Sequence, residues 1–225
     1  MTPNPSSPPA VPPLEPGHRL SRAEFERRYE AMHDLKKAEL IEGVVYMPSS
    51  VRLRRHGDPH VRMISWIGVY AAHSPVVVPG DNTTARLDLD NEPQPDGMLL
   101  IDPRFGCQAV INENDFVEKA PEWVGEISAS SASFDLHTKK AVYRRNGVRE
   151  YVVWPVLDKQ LDWFASRSGQ FESLKADAAG ILKSEVFPGL WLDSAALIAG
   201  DMLRVLAVVQ DGVHSPEHAA FTARR

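Results

Sequence analysis

The alternation of apolar and polar positions divides this chain into short strands and amphipathic helices. The clearest stretch is residues 121–151, PEWVGEISASSASFDLHTKKAVYRRNGVREY. It opens with an apolar run, 123–127, that reads as a strand carrying one carboxylate, Glu126. A polar turn with Ser128, Ser130, Ser131 and Ser133 follows, and hydroxyls at the last three positions can accept from the free N–H groups of a helix start. Asp135, Lys139 and Tyr143 then recur every fourth residue, which places all three on one face of that helix. Asn146-Gly147 supplies the left-handed residue that ends it. A second apolar run, 150–154, completes a β-α-β unit, and such crossovers usually join parallel strands.

The flanking segments carry weaker versions of the same signals. Ser21-Arg-Ala-Glu24 is a capping box, and Phe25, Tyr29 and Met32 at helical spacing predict a helix over 22–34. The segment AELIEGVVYM, 38–47, predicts a hairpin turning at Glu42-Gly43, with Glu39 at its start. A basic loop, 52–56, precedes a helix predicted over 59–73, with Val61, Ile64, Ile67 and Gly68 as its buried face and His60 in its first turn. Residues 75–111 have a β texture: VVVPG, then TTARLDLD, where Arg86, Asp88 and Asp90 alternate with Leu87 and Leu89, then GMLLID after Pro95-Asp96. Residues 102–120 read as a loop. Beyond Trp154, apolar runs at 160–164, 170–174 and around Ile181 predict an antiparallel extension of the sheet. A helix follows over 194–199, and Ser215-Pro216-Glu217 opens a last one. Trp123, Trp154, Trp163 and Trp191 read as core or interface residues. The fold class is α/β in the mixed α+β sense, a central mixed β-sheet flanked by helices.

Composition narrows this picture. The chain has 225 residues, 43% hydrophobic and 24% charged, enough for one domain, taken as 18–225. Residues 1–17 are proline-rich and predict a disordered or extended tail. A single cysteine, Cys107, excludes an internal disulfide framework and a cysteine-rich zinc site and fits a cytoplasmic protein. No apolar run approaches the ~18 residues of a membrane span, and no signal-peptide core is present. With a net charge of −5 and a pI near 5.9, a nucleic-acid partner requires a local basic patch. Arg52, Arg54, Arg55, Lys140, Arg144 and Arg145 are the candidates, and each has an alternative reading as a solvated face.

Chemistry concentrates on Asp96, Glu126 and Lys139. Two carboxylates at the ends of neighbouring strands can hold a hard cation such as Mg²⁺ or Mn²⁺, which takes oxygen ligands and keeps several waters. A nearby lysine can act on the attacking water and offset negative charge developing on a phosphoryl group. That makes a hydrolytic site for phosphodiesters. The alternative is that both acids face solvent and Lys139 is an ordinary surface lysine. His60 reads either as a cleft residue or as a helix-surface one, Tyr143 as a packing residue with its hydroxyl near the site, and Asp135 as an i,i+4 partner that orients Lys139.

The ordered series Glu39-Leu-Ile-Glu-Gly43, His60, Pro95-Asp96, Glu126-Ile-Ser128, Asp135-x-x-x-Lys139-x-x-x-Tyr143 and Gly147-Val-Arg-Glu150-Tyr151 resembles the Uma family of "putative restriction endonucleases". That family lies within the PD-(D/E)XK nuclease superfamily, and the likeness runs from about residue 20 to about residue 200. The resemblance implies a restriction-endonuclease-like fold and a Mg²⁺-dependent endonuclease acting on DNA, duplex by expectation, as a homodimer. It makes Asp96 the first metal ligand and Glu126 the acid of the second motif. Ser128 stands where the superfamily usually has lysine, and Lys139 on the following helix takes that role. Glu39 corresponds to an acid that many members add near the metal. Two other classes stay open: a catalytically inert nucleic-acid or protein interaction domain, and a metal-dependent hydrolase of a small phosphate substrate.

Overall fold

The computed structural model describes residues 11–47 and 50–223. The chain begins with α1 (Arg22–Glu30) and the hairpin strands β1 (Glu39–Ile41) and β2 (Val44–Tyr46). A π-helical turn, Leu53–Gly57, runs directly into α2 (Asp58–Ala72). Strands β3 (Val77–Asp81), β4 (Ala85–Arg86), β5 (Gly97–Ile101), β6 (Val110–Ile111), β7 (Val117–Glu118) and β8 (Trp123–Ser128) follow. The crossover is helical in three parts: α3 (Ala132–Phe134), a π turn (Asp135–Lys139) and α4 (Lys140–Asn146). After it come β9 (Glu150–Pro155), β10 (Asp162–Arg167), β11 (Gln170–Ser173), β12 (Ile181–Lys183) and β13 (Trp191–Asp193). Three helices close the chain, α5 (Ser194–Ala199), α6 (Met202–Val213) and α7 (Pro216–Thr222).

Six strands make the central sheet, in the order β11-β10-β9-β8-β5-β3. Only β8 and β9 pair in parallel; the other neighbours are antiparallel. The crossover spacing forces this, because a helical connection returns the chain to the same end of the sheet. Gly147 ends α4 at φ 88°, a conformation that a side chain disfavours. The β1–β2 hairpin turns at Glu42 (φ 53°) and Gly43 (φ 70°), the paired positive angles that match the twist of its strands.

Strand alternation sends side chains to two cores. Trp123 and Ile127 of β8 pack with Met63, Trp66 and Ile67 of α2 and Val205 and Val209 of α6. Val124 faces the opposite way, into a cluster with Met98, Val142, Tyr143 and Tyr151. Gly125 lets α2 approach closely, since a Cβ there would lie 2.8 Å from the Met63 sulfur. A third cluster joins Leu14, Phe25, Ala38, Leu40 and Val45. Among the described residues no helix is long and apolar enough to cross a membrane.

Several local expectations change. Of the expected tail, residues 1–10 lie outside the described residues, whereas Leu14 is buried and Gly17 donates to the Val45 carbonyl. The first helix stops at Glu30. The basic segment is a π-helical turn rather than a loop. The buried face of α2 is Pro59, Met63, Trp66, Ile67 and Tyr70, while Val61 is exposed. Only Ala85–Arg86 of TTARLDLD is strand, because the Asp88 carboxylate accepts from the Asp90 N–H and the Asn91 amide and curls the chain locally. The 102–120 segment contains β6 and β7. Strand β12 pairs with β13 in a separate ribbon, so the extension of the sheet consists of β10 and β11. Helix α6 was not foreseen: its valines favour a strand by propensity, and burial of Val205, Val208, Val209 and Val213 along one face decides otherwise.

Candidate active site

Gly97 of β5 pairs with Gly125 of β8. One residue outward from that pair, Asp96 and Glu126 stand side by side at one end of the sheet. The Ile127 N–H donates to Asp96 Oδ2 at 2.8 Å, which ties the two strand ends together. Asp96 Oδ1 lies 3.2 Å from His56 Nε2 and 3.7 Å from Lys37 Nζ. Glu39, the first residue of β1, arrives over the same pocket, and its Oε1 accepts from the Gln94 N–H at 2.7 Å. Lys139 completes the group: its Nζ donates to Glu39 Oε1 and to Glu126 Oε1, both at 2.9 Å. Asp135 is farther from that ammonium, at 4.0 Å, and accepts instead from Ser128 Oγ at 2.6 Å. The Tyr143 hydroxyl donates to Glu126 Oε1 at 2.7 Å. All seven side chains, Glu39, Asp96, Glu126, Ser128, Asp135, Lys139 and Tyr143, are buried.

The wide π turn over Asp135–Lys139 carries the acid and the amine toward the sheet. Such turns recur at functional sites, where they re-aim side chains without breaking a helix.

The pocket holds more negative than positive charge. Burial pushes Glu126 up to about 8; Lys139 opposes the shift, and Asp135, Asp96 and Glu39 add to it. Burial also opposes the charge on Lys139, but Glu126, Glu39 and Asp135 outweigh it and hold the amine protonated well above its usual range. For Asp96 burial is the largest influence and acts upward, yet His56, Lys37 and the Ile127 N–H together leave its carboxyl below the ordinary range. The two strand-end acids therefore differ: Asp96 is held ionised and Glu126 takes a proton readily. Among the described residues no three His, Cys, Asp or Glu side chains already form a metal-holding cluster. The carboxylates that could hold a hard cation are Asp96 and Glu126, with Glu39 adjoining.

His60 sits at the edge of the pocket. Its Nε2 lies 3.0 Å from Asp81 Oδ1 and 3.1 Å from the Asp96 carbonyl oxygen, so it meets the backbone of Asp96 rather than its carboxylate. The ring nearest that carboxylate belongs to His56, stacked on His60 at 5.6 Å. Sequence reasoning missed His56, Lys37 and Gln94. The i,i+4 pair His56 and His60 was the one available signal, and Lys37 and Gln94 had none. Of the basic candidates, Arg52, Arg54 and Arg55 are exposed on the turn before α2. Lys140 instead lies 3.3 Å over the Phe164 ring, Arg144 donates to the Gly169 carbonyl, and Arg145 pairs with Glu42.

A model of the family Uma2, described as "Putative restriction endonuclease", matches residues 22–195. No match is found among curated proteins. Among solved structures, the chain is similar to a crystal structure from Anabaena variabilis described as "a putative nuclease belonging to DUF820". The two share 14% sequence identity with a TM-score of 0.52, over 76% of this chain and 97% of that one. At that identity the likeness speaks for the fold, a mixed six-stranded sheet flanked by helices. The family match spans most of the sequence and includes Glu39, Asp96, Glu126 and Lys139, and on it the chain belongs to the Uma2 family.

Proposed function

We propose that this chain is a nuclease, and specifically a metal-dependent endonuclease that hydrolyses phosphodiester bonds in DNA in the cytoplasm. The observation that carries the reading is the convergence of Glu39, Asp96, Glu126 and Lys139 from four separate segments onto one buried cluster at a sheet end. The family is described as "Putative restriction endonuclease" and the protein with the similar fold as "a putative nuclease", and both descriptions support the nuclease part of the reading.

Two carboxylates suit Mg²⁺ or Mn²⁺, since Mg²⁺ is commonly held by one or two acids with waters completing its shell. Asp96 and Glu126 are the residues to hold it. The ion's contribution when bound is Lewis-acid polarisation of the phosphoryl group. Lys139 stays an ammonium, so its role is to offset charge on the phosphoryl oxygens and to position water rather than to accept a proton. Tyr143 fixes Glu126 from one side, while Glu39 anchors the lysine. Ser128 cannot supply the charge that a lysine would at its position, and it holds Asp135 instead.

The test is nicking of supercoiled DNA with Mg²⁺ or Mn²⁺, beside metal titrations of the same samples. Asp96→Ala and Glu126→Ala should lose metal binding and cleavage together. Cleavage that survives either change places the site elsewhere, and a wild type that neither binds metal nor cleaves is an interaction domain. A homodimer belongs to the same proposal, because two-fold symmetry presents two sites to two antiparallel strands. Sedimentation showing only monomer at micromolar concentration removes that part.

A further inference from the structure

A second concavity, of about 600 Å³, opens on the other side of the turn that carries His56. Its wall includes Arg54, two residues before the histidine that touches Asp96, and Pro59, which adjoins His60. Trp154 forms part of its floor and pairs in register with Ile127, whose N–H binds Asp96. The concavity and the acidic pocket therefore share one end of the sheet, separated by the Leu53–Gly57 turn.

The chemistry of its lining is specific. Arg54 and Lys159 are exposed, and among the described residues neither has an ion-pair partner. The one acid in the lining, Asp58, is held by the Arg62 guanidinium, so it does not neutralise them. Most of the remaining lining is apolar, Val156 and Ile198 included. Cations beside an apolar floor fit a phosphate chain whose bases are turned outward. A duplex would leave the floor unused, because its bases face one another. The volume lies within the roughly 300–1,000 Å³ of pockets that enclose small organic ligands.

We infer that this groove holds the unpaired stretch of a DNA strand entering the acidic pocket, with phosphates on Arg54 and Lys159 and bases against Val156 and Ile198. The inference rests on the nuclease reading of the pocket and adds a preference for DNA that is single-stranded, frayed or flapped beside the cut. Single-strand binders combine a cationic track with sequence-tolerant base contacts, commonly on aromatic rings; here aliphatic side chains would take the place of those rings.

The test is fluorescence anisotropy with a labelled oligothymidylate, in chelator, so that binding is read without cleavage. The double variant Arg54→Ala with Lys159→Asn is chosen because Arg54 is unpaired, and asparagine tolerates the left-handed backbone of position 159, φ 52°. Binding should weaken by about tenfold or more. The slope of log affinity against log salt should shrink by about 1.4, about 0.7 for each lost phosphate contact to a single strand. A blunt duplex of equal length should bind more weakly and change less. Equal oligothymidylate binding by variant and wild type overturns the inference, as does a blunt duplex that binds as tightly and loses as much, or an oligouridylate that binds better. The arms separate the two claims. Intact oligothymidylate binding without metal-dependent cleavage removes the nuclease reading and keeps the groove, whereas cleavage by the wild type with unaltered binding by the double variant removes the groove and keeps the nuclease.

Discussion

Two adjacent strands each bury a glutamate, and the two residues live in different surroundings. Glu150, at the start of β9, accepts from Trp163 Nε1 at 3.2 Å, Ser184 Oγ at 2.7 Å and the N–H groups of Glu185 at 2.6 Å and Val186 at 3.1 Å. Glu126, near the far end of β8, meets an ammonium, a phenol and three further carboxylates. Burial raises both, Glu150 to about 7 and Glu126 to about 8. The difference lies in what surrounds them. Neutral donors from the neighbouring strand and from the segment after β12 satisfy Glu150, so it pins that segment onto the sheet. Charged groups from separate elements leave Glu126 in an unbalanced field, which is the condition of a site prepared for a ligand that brings its own charge. Of these two perturbed acids, the one set among ionised neighbours is the stronger pointer to function.

Exchanging each glutamate for glutamine should give opposite outcomes, and this is the largest contrast. Glu126→Gln should abolish cleavage while leaving the unfolding free energy at neutral pH unchanged or higher, since it replaces a carboxyl that is already largely protonated with a neutral amide of the same shape. Lys139→Ala should lower turnover by about 10²–10³, the range for loss of one preorganised charge-stabilising donor, with metal affinity nearly retained. Lys139→Arg should not restore it, because the planar guanidinium has a different shape. Single-turnover rates and metal titrations check both.

Glu150→Gln should retain cleavage per folded molecule and lose about 1–3 kcal/mol in urea unfolding, because its amide turns an N–H₂ toward groups that are already donors. The pH dependence follows from the same residue. Its folded value, about 7, exceeds its ordinary 4.5, so the folded state binds the proton more tightly, and stability falls as pH rises from about 4.5 through about 7. Glu126 extends the fall to about pH 8. Glu92, also raised to about 8, contributes over the same range, so Glu150→Gln should shrink the part below pH 7 and Glu126→Gln should reduce, without removing, the part above it. Smallest of all, Arg145→Ala should change stability by less than about 0.5 kcal/mol, since its pair with Glu42 is exposed.

The comparison also marks what the sequence could convey. A lone carboxylate in an apolar run, followed by Asp135, Lys139 and Tyr143 at a spacing of four, was visible in the letters because strand and helix periods are local. The placement of Asp96 beside Glu126 was less direct, since their adjacency depends on β5 and β8 pairing across the intervening segment. What satisfies Glu150 was not visible in the sequence, because its donors come from Trp163 and residues 184–186 and only the folded chain delivers them. Lys37 was silent for the same reason, and His56 showed only its spacing of four from His60: the turn that brings it to Asp96 is π-helical, a geometry without a sequence period of its own. Helix α6 was hidden by valines whose intrinsic preference is for strands, and packing against α2 overrides that preference.

The most direct measurement is nicking of supercoiled DNA by wild type, Glu126→Gln and Glu150→Gln in Mg²⁺, each normalised to the folded fraction. The account predicts nicking by wild type and by Glu150→Gln and none by Glu126→Gln. Nicking by Glu126→Gln at the wild-type rate would contradict it, and so would loss of activity in folded Glu150→Gln equal to the loss in Glu126→Gln.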